Sequence, residues 1–510
     1  MKRLSNLEYL KLSRIKKIGY KLLSFICGIP MFFLKIFKAI WKFIKKIGLF
    51  IKNEAVTIVK TFVKGSWKTK VSYLIMGFSN LSRKQFIKGF LFLAFEGIFI
   101  WYMISTGSYW LSKFDNLGDT ASKQVYDEVL DVWHSVEVSD NSFKILLYGL
   151  LTIIFIIALV GTWRINISQA RINDEIERDG KKLKTDKDDL KSLLDTQFHK
   201  TMLALPVMGI AVFTLMPMLF MILVAFTNYD GTHNGYSKLF TWVGWDNFNA
   251  LISWGSSSGS NLTATFGEIL AWTLIWAFFA TFTNYFLGMI VAMLINKKGI
   301  KCKKLFRTIL VLTIAIPQFI SLLYISHVFD KTGFLNAFLV EHGIFKSNYN
   351  FWGNAKSARI LVILINIWIG IPYLMLIITG VLMNIPQDLY ESAKIDGANV
   401  FQQYTKITLP YVLFVTGPYL LTSFIGNINN FNVIFLLTGG GPVNTKLNVD
   451  GQTAGSTDLL ITWLFNLTTG TTSNYKLASV IGILIFFVVA TLSLIVYNVI
   501  PSTRNEEDYS

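Results

Sequence analysis

The sequence predicts an all-α, polytopic membrane protein with about eight transmembrane helices and a basic amphipathic N-terminal region. Of its 510 residues, 53% are hydrophobic and 15% are aromatic, and the mean hydropathy is +0.48. A soluble chain of this length would contain several domains and a larger fraction of charged residues. Here the apolar residues fall in blocks long enough to cross a bilayer, which takes roughly 20 residues per helix.

The net charge of +17 is concentrated near the N-terminus. Residues 1–90 hold 20 Lys and Arg against two acids, whereas the other 420 residues hold 28 basic and 29 acidic side chains. This distribution argues against nucleic-acid binding and favours attraction to membrane lipid with anionic headgroups, worth roughly 1 kcal/mol per Lys or Arg. Residues 1–84 alternate apolar and basic residues, which predicts a helix in the membrane interface; a solvated basic tail is the alternative.

Eight spans are predicted from the length and hydrophobicity of the apolar blocks. Their approximate bounds are residues 86–110, 144–163, 202–227, 267–296, 305–328, 358–383, 411–437 and 476–500. Loops 164–200 and 296–307 hold nine and six basic residues, whereas loops 111–142 and 228–266 hold two and one. Because Lys and Arg concentrate on the cytoplasmic side, we expect a multi-pass protein of the cell membrane with both termini in the cytoplasm.

The spans and loops divide the chain into five parts. These are the basic amphipathic region 1–84, an accessory transmembrane pair 85–163, a charged cytoplasmic linker 164–200, a six-span core 201–500 with a cytoplasmic loop at 384–410, and a cytoplasmic tail 501–510. Glu96 lies within the first span and is a candidate functional residue because ionisable groups are rare in spans. A polar interhelical contact or snorkelling is the alternative for this side chain.

The polar segment at residues 389–410 predicts two short helices joined by a turn. Pro386 suits the start of a helix, where its missing N–H costs nothing, and Gly397 accepts the positive φ of a tight turn. Pro410 is expected to end the second helix before the next span. That helix carries an apolar stripe of Val400, Tyr404 and Ile407. An ordinary loop with incidental helicity is the alternative.

The full pattern resembles the cytoplasmic loop of ABC-importer permeases, whose consensus reads E-A-A, D-G-A three residues on, an aromatic residue and I-x-L-P. The matching residues are Glu391, Ala393, Asp396, Gly397, Ala398, Tyr404, Ile407, Leu409 and Pro410. Two departures are Ser392 at the second position and Tyr404 in place of the usual phenylalanine.

The resemblance implies a type I ABC importer permease core. In that family the loop forms a coupling helix that binds in a groove of a cytoplasmic ATPase, and closure of two ATPases rocks the membrane halves. By this resemblance, ATPase coupling belongs to Glu391, Ala393, Asp396, Gly397, Ala398 and Tyr404.

The chain holds no motif that could hydrolyse ATP. The pattern G-x-x-x-x-G-K-[ST] does not occur, and Gly180-Lys181 has Glu175 where the first glycine would stand. We therefore expect no enzyme activity and no cofactor in this chain, with ATP and magnesium on partner ATPase subunits. The resemblance implies a second permease subunit in a heterodimer, two ATPase subunits and an extracytoplasmic sugar-binding protein.

Amides are dense in the predicted span at residues 411–437. They are costly there unless they face a wet cavity or another helix, and oligosaccharide binding combines amides with aromatic faces. Gly370 and Pro372 are expected to interrupt a second helix beside such a cavity, just before Tyr373, and Pro317 to break a third. Interhelical hydrogen bonding is the alternative for the amides, and core packing is the alternative for Tyr373.

Residues 201–500 resemble the larger, eight-span permease subunit of maltose and maltodextrin importers, as in "IPYLMLIITG" and "SFIGNINNFNVIFLLTGGGP". The resemblance implies an oligosaccharide substrate that contacts Ser321, Gly370, Tyr373, Ser423, Asn427 and Asn430. Gly426 stands where that subunit has an aromatic residue that stacks on the sugar. The missing ring widens the cavity, so maltose is disfavoured and a longer, branched or uronic-acid oligosaccharide is expected at least equally.

Two other classes of membrane protein are alternatives to an importer subunit. An ion-coupled secondary sugar transporter would need buried acids in the core spans, where only Glu268 occurs, at a margin. A membrane glycosyltransferase would need a paired catalytic arrangement, and the acids of loop 111–142 do not form one. Dependence of transport on an active partner ATPase separates the importer from both.

Overall fold

The computed structural model describes residues 38, 41–121, 124–127, 131–135, 139–252, 259–297, 299–449, 452–470 and 473–499. Most of the predicted interfacial region before residue 41, and the predicted tail 501–510, lie outside the described residues. Nearly all described secondary structure is helical, which confirms the predicted fold class.

Twenty-one α-helices follow one another in the described part of the chain. They are α1 (residues 41–64), α2 (Trp67–Val71), α3 (Phe78–Leu81), α4 (Phe86–Tyr102), α5 (Ser108–Ser112), α6 (Ser142–Arg178), α7 (Asp186–Leu194), α8 (Phe198–Ile210), α9 (Met216–Val224), α10 (Asp246–Ile252), α11 (Gly259–Asn296), α12 (Lys303–Ala315), α13 (Gln318–Val328), α14 (Phe334–Glu341), α15 (Ala355–Met383), α16 (Gln387–Ile395), α17 (Val400–Gln403), α18 (Leu409–Ile428), α19 (Phe431–Thr438), α20 (Leu460–Thr469) and α21 (Tyr475–Val499). Three π-helical turns continue one helix into the next, at Met103–Gly107, Ala211–Leu215 and Tyr404–Thr408.

Two antiparallel hairpins accompany the helices. They pair β1 (Gln124–Asp127) with β2 (Val132–Ser135), and β3 (Val443–Val449) with β4 (Gln452–Gly455). The second hairpin lies between the predicted spans 411–437 and 476–500, and β3 packs against α11.

Seven helices of the described chain are long and apolar enough to cross a membrane, and the pair α12–α13 makes an eighth if it counts as one span. These segments correspond to the eight predicted spans. The α12–α13 pair is bent by 90°, and the bend falls at Pro317, as predicted. The predicted span 411–437 also divides, because Asn430 caps α19 two residues after α18 ends.

The chain divides into two compact units. One comprises Met1–Leu111 with Leu150–Met208, and the other comprises Ser112–Gly149 with Gly209–Ser510.

In the first unit, residues 66–85 pack against α6 through a buried polar network. The Asp174 carboxylate accepts hydrogen bonds from the Ser66 amide (2.9 Å), the Ser66 hydroxyl (2.6 Å) and the Arg83 guanidinium. Arg83 also pairs with Glu177 at 2.9 Å. Residues 41–64 thus form the single helix α1, whereas residues 66–84 fold into short helices and turns.

The candidate Glu96 has a structural partner in the same unit. The Met76 amide donates to Glu96 Oε2 at 2.8 Å. This hydrogen bond caps the backbone of a turn before α3, so the structure favours the polar-contact alternative for Glu96.

The second unit is built around α11, which packs along α15 and α18. Trp272 and Trp276 of α11 lie in one buried cluster with residues of α13, α15 and α19. Tyr285 and Met289, further along α11, lie in another with residues of α15 and α18. One continuous helix thus lies beside both candidate functional regions.

Candidate functional site

The loop that carries the permease motif has a rigid, fully hydrogen-bonded turn. At the end of α16, the Gly397 amide donates to the Lys394 carbonyl (3.0 Å) and the Ala398 amide donates to the Ala393 carbonyl (2.8 Å). This is a Schellman motif, which requires a left-handed residue after the helix. Gly397 has φ of +76°, so its predicted role in the turn is confirmed.

The second helix of the loop begins with a capping box. The Gln402 amide donates to Asn399 Oδ1 and the Asn399 amide donates to Gln402 Oε1, each at 2.8 Å. These bonds satisfy two of the free donors at a helix start. Our predictions omit this cap, although Asn followed three residues later by Gln is its usual signal.

The prediction that Pro410 ends this helix is wrong. The helix runs from Val400 to Ile428 without a break, and a π-helical turn at Tyr404–Thr408 precedes the proline. A proline is tolerated in the first turn of a regular segment, and the wider turn changes the hydrogen-bond register before it. The loop therefore passes directly into a membrane span.

Internal contacts hold the loop against the core of its unit. The Tyr390 hydroxyl lies 2.8 Å from Thr408 Oγ1 and connects the first helix to the second. The Tyr404 hydroxyl donates to Met289 Sδ of α11 at 3.4 Å. Tyr404 and Ile407 pack inward as the predicted stripe requires. Tyr404 is thus the link between the loop and α11.

The tip of the loop exposes a large apolar surface. Ile395 is 88% exposed, Val400 83% and Phe401 72%. Of the predicted apolar stripe, Val400 therefore lies outside the core that Tyr404 and Ile407 pack against. Exposed apolar side chains grouped in this way are typical of a protein interface.

The predicted coupling residues lie around this tip. Glu391, Asp396 and Gly397 are exposed, and Ala393 and Ala398 are half-buried. Neither Glu391 nor Asp396 forms an ion pair with another described residue of the chain.

The predicted sugar-binding amides make internal hydrogen bonds. Asn427 Nδ2 donates to Thr281 Oγ1 of α11 at 3.0 Å, and Asn430 Nδ2 donates to Asn427 Oδ1 at 3.2 Å. Asn430 Oδ1 also accepts the Val433 amide at 3.3 Å as the cap of α19. These two amides therefore use much of their hydrogen-bonding capacity inside the protein, which supports the interhelical alternative.

The prediction that Gly370 and Pro372 interrupt a helix is wrong. Helix α15 runs unbroken from Ala355 to Met383 with Pro372 inside it. A Cβ on Gly370 would lie 2.3 Å from Nδ2 of Asn284 on α11. Gly370 therefore serves close helix packing, and buried neighbours hold the helix together across the proline.

The remaining predicted contacts lie on partly open faces. Tyr373 is 51% exposed, and its ring centroid is 6.4 Å from that of Tyr419. Ser423 is half-buried on α18, and Ser321 is half-buried on α13, in the first turn after the bend. The structure places Tyr373 on α15 and Ser423 on α18, and it describes no contact that joins them to Ser321.

A polar stripe lies at the end of α18, and Thr422 is its member that sequence reasoning missed. Thr422, Gly426 and Asn429 are exposed and follow one another at spacings of four and three residues. A Cβ on Gly426 would meet no heavy atom within 4 Å. The spacing of these residues is visible in the sequence, but the prediction followed the neighbouring amides instead.

A buried carboxyl group organises the segment before α20. Asp458 is 2% exposed and accepts hydrogen bonds from the Gly455 amide (2.7 Å) and the Thr462 hydroxyl (2.8 Å). Burial raises the pKa of Asp458 to about 6, against the lowering effect of these hydrogen bonds and of Asn466. A carboxyl group so buried without a described cation holds its proton more tightly.

A second acid ties the loop after α9 to α21. Asp230 Oδ2 accepts a hydrogen bond from Lys476 Nζ at 2.9 Å. Burial raises the pKa of Asp230, but hydrogen bonds from Lys476, Thr232 and His233 outweigh it, and the pKa lies well below the usual value. Asp230 is therefore ionised wherever Asp458 titrates.

Several long apolar helices, with a helix–turn–helix that is anchored to them and exposes its tip, are typical of a class of membrane transport subunits. No group of three or more His, Cys, Asp or Glu able to hold a metal ion occurs among the described residues. Residues 284–504 match the family described as binding-protein-dependent transport system inner membrane components. The chain belongs to this family, since a relative is also 33% identical to it over 88% of its length.

Relatives from Bacillus subtilis cover nearly the whole chain. The maltodextrin transport system permease protein MdxF is 33% identical over 459 residues, which are 88% of this chain and 98% of MdxF. The galactooligosaccharides transport system permease protein GanP is 32% identical over 85% of this chain and 97% of its own length. A chain of a bacterial ABC transporter for the acidic polysaccharide alginate aligns with 62% of this chain and 99% of its own, at 21% identity and a TM-score of 0.49.

These similarities confirm that the chain is a permease subunit of an ABC importer. It is a transport subunit and not an enzyme, and ATP hydrolysis resides in separate subunits of such importers. The ion-coupled alternative is not supported. The family description also confirms a membrane location and dependence on a binding protein.

Proposed function

We propose that this chain is the larger permease subunit of an ATP-driven importer of oligosaccharides. Maltodextrins and galactooligosaccharides, named for the two relatives, are both oligosaccharides. The stripe of Thr422, Gly426 and Asn429 offers hydroxyl and amide groups beside an open position on α18. This exposed polar stripe is the observation that carries the proposal, because a sugar needs such groups on an apolar helix.

The contacts with the sugar would come from α15 and α18. Tyr373 offers an exposed ring for a sugar face, and Ser423 offers a hydroxyl next to the polar stripe. Asn427 and Asn430 retain acceptor and donor positions beyond those used in their internal bonds. Ser321 on α13 would contact the sugar from another side of its path, and Gly370 would act through close packing of α15 on α11.

The exposed loop tip would bind a groove on a cytoplasmic ATPase. Ile395, Val400 and Phe401 supply an apolar surface, and Glu391 offers a carboxylate for a basic residue of the ATPase. Gly397 and the hydrogen bonds around it stiffen the tip, and Tyr404 connects it to α11. Force on the tip would thus move the helices that line the sugar path.

The complete importer would contain this chain, a second permease subunit, two ATPase subunits that bind ATP and magnesium, and an extracytoplasmic sugar-binding protein. Both termini and the loop tip would face the cytoplasm, because the basic loops lie on that side.

A panel of solutes tests the proposed substrate class. The reconstituted complex is supplied with its binding protein and with maltodextrins, galactooligosaccharides, uronic-acid oligosaccharides, amino acids or peptides, and ATP hydrolysis is measured. We expect at least one oligosaccharide class to stimulate hydrolysis several-fold over binding protein alone. A complex with a hydrolysis-deficient ATPase is the control. Stimulation by an amino acid or a peptide and by no oligosaccharide would contradict the proposal.

A further inference from the structure

An apolar groove of about 660 Å³ lies between α1 and α6 in the first compact unit. Its apolar lining includes Phe50, Ile51, Ala55, Ile58, Val160 and Ile172. Its charged lining residues, Glu54 and Arg164, form an ion pair with each other. The groove is therefore apolar and has no net charge.

A smaller cavity of about 230 Å³ between the same two helices is cationic. Lys60, Lys64, Arg171 and Arg178 line it together with Asp174 and Glu175. Asp174 is already neutralised by the buried Arg83. Lys60 and Lys64 form no ion pair with any described residue. Arg171 pairs with Glu175 at 3.9 Å, but its buried Nε makes no hydrogen bond in the described structure. Positive charge is thus left over on the walls of this cavity.

The two cavities follow one another in the same direction on both helices. Along α1, the groove takes residues 50–58 and the cationic cavity takes residues 57–65. Along α6, the groove takes residues 160–172 and the cationic cavity takes residues 171–178. The apolar groove therefore lies next to the membrane-spanning part of α6, and the cations lie at its charged end. This polarity matches a membrane lipid whose headgroup lies at the bilayer surface.

We propose that α1 and α6 bind an anionic phospholipid, with an acyl chain in the groove and the phosphate against Lys60, Lys64 and Arg171. Phosphate oxygens accept strong charge-assisted hydrogen bonds from Arg and Lys, and an acyl chain removes the groove from water. A polybasic helix beside a span attracts anionic lipids in general. The paired cavities make a discrete site out of that diffuse attraction. The bound lipid holds α1 against α6 and is independent of the transported solute.

Native mass spectrometry of the full-length protein tests the site without any variant. The protein in mild detergent is titrated with phosphatidylglycerol, with phosphatidylcholine of the same acyl chains, or with inorganic phosphate as competitor. We expect one phosphatidylglycerol to be retained more tightly than phosphatidylcholine, and an excess of inorganic phosphate not to displace it. Equal retention of the two lipids, or displacement by phosphate alone, would overturn the proposal.

Matched variants then separate the site from general surface charge. Lys60→Gln with Lys64→Gln and Arg171→Gln should weaken phosphatidylglycerol retention on the order of a hundredfold, since each basic residue contributes roughly fivefold. Lys42→Gln with Lys46→Gln and Lys52→Gln removes the same charge from α1 outside both cavities and should weaken retention clearly less than the first triple variant does. Equal losses in the two triple variants would show diffuse attraction and refute a discrete site.

The groove has its own pair of variants. Ala55→Trp fills the groove without a change of charge and should reduce retention of the lipid. Val59→Trp places the same ring on α1 at a side chain that is 61% exposed and outside the groove lining, and it should retain the lipid as the wild type does. Unchanged retention in Ala55→Trp, in protein that elutes as the wild type on size exclusion, would show that no acyl chain occupies the groove.

Discussion

At the scale of single residues, the sequence identifies polar side chains that are unusual in a span, but it does not show whether each one binds a sugar or another helix. Asn427 and Asn430 are predicted as sugar ligands or as interhelical hydrogen-bond donors, and both uses require an amide. The decision depends on Thr281, which is 146 positions away in the chain and lies beside Asn427 only after α11 and α18 pack. Gly397 was predictable because a left-handed turn is a local property of the backbone.

The raised pKa of Asp458 gives a pH dependence to the segment before α20. The folded pKa, about 6, exceeds the usual value of 3.8. Its stabilising contribution is therefore complete below 3.8 and is lost as the pH rises through about 6, which amounts to about 3 kcal/mol. Asp230 does not oppose this change, since its depressed pKa makes its contribution fall only below the usual value.

We predict that Asp458→Asn removes this pH dependence. In the wild type, protection of the Gly455 amide from hydrogen exchange, corrected for the intrinsic rate, should fall as the pH rises through about 6. In Asp458→Asn it should stay level, because the amide does not ionise. Glu341→Gln, at an exposed acid, is the control and should behave as the wild type. Protection that still falls in Asp458→Asn would assign the titration to another group.

At the scale of helices, proline has three different outcomes that composition alone does not separate. Pro317 produces a 90° bend, Pro372 lies inside an unbroken α15, and Pro410 follows a π-helical turn. A proline removes one hydrogen bond and clashes with the preceding turn, but packing decides whether the helix yields. Pro372 is buried among neighbours that hold α15 together, and such contacts join residues distant in the sequence. The spans were therefore predictable, whereas of the three prolines only Pro317 was predicted with its correct effect.

The turn between α16 and α17 gives a prediction at the same scale. Gly397→Val forces a β-branched residue into φ of +76°, which costs about 1–2 kcal/mol and disturbs the Schellman bonds. We expect binding-protein-stimulated ATP hydrolysis to fall several-fold while the protein still inserts in the membrane. Gly380→Val, on α15 where a Cβ meets no heavy atom within 4 Å, should retain more of the stimulation. Equal activity of Gly397→Val and wild type would show that the turn geometry does not matter for coupling.

At the scale of the whole molecule, α11 links the candidate sugar path with the candidate docking loop within one compact unit. Its Thr281 bonds to Asn427, its Tyr285 hydroxyl lies 2.7 Å from Thr416 Oγ1, and its Met289 accepts from Tyr404. These contacts follow one another along one continuous helix, and a continuous helix can transmit displacement as a stiff element. The predicted motif identified the loop, but α11 was recognisable as its connection only from the fold.

This arrangement predicts that the loop tip can be disabled without damage to the sugar path. Ile395→Ser with Phe401→Ser removes two of the most exposed apolar side chains at the tip, each worth about 2 kcal/mol when buried in a partner. We expect the ATPase subunits to stop copurifying with the double variant, because neither residue belongs to the buried core. Phe334→Ser with Ile344→Ser, a pair that is also more than half exposed and lies outside the spans, should copurify as the wild type does. Normal copurification of the tip variant would move the ATPase contact elsewhere on the chain, and the connection through Tyr404 and α11 would then lose its role.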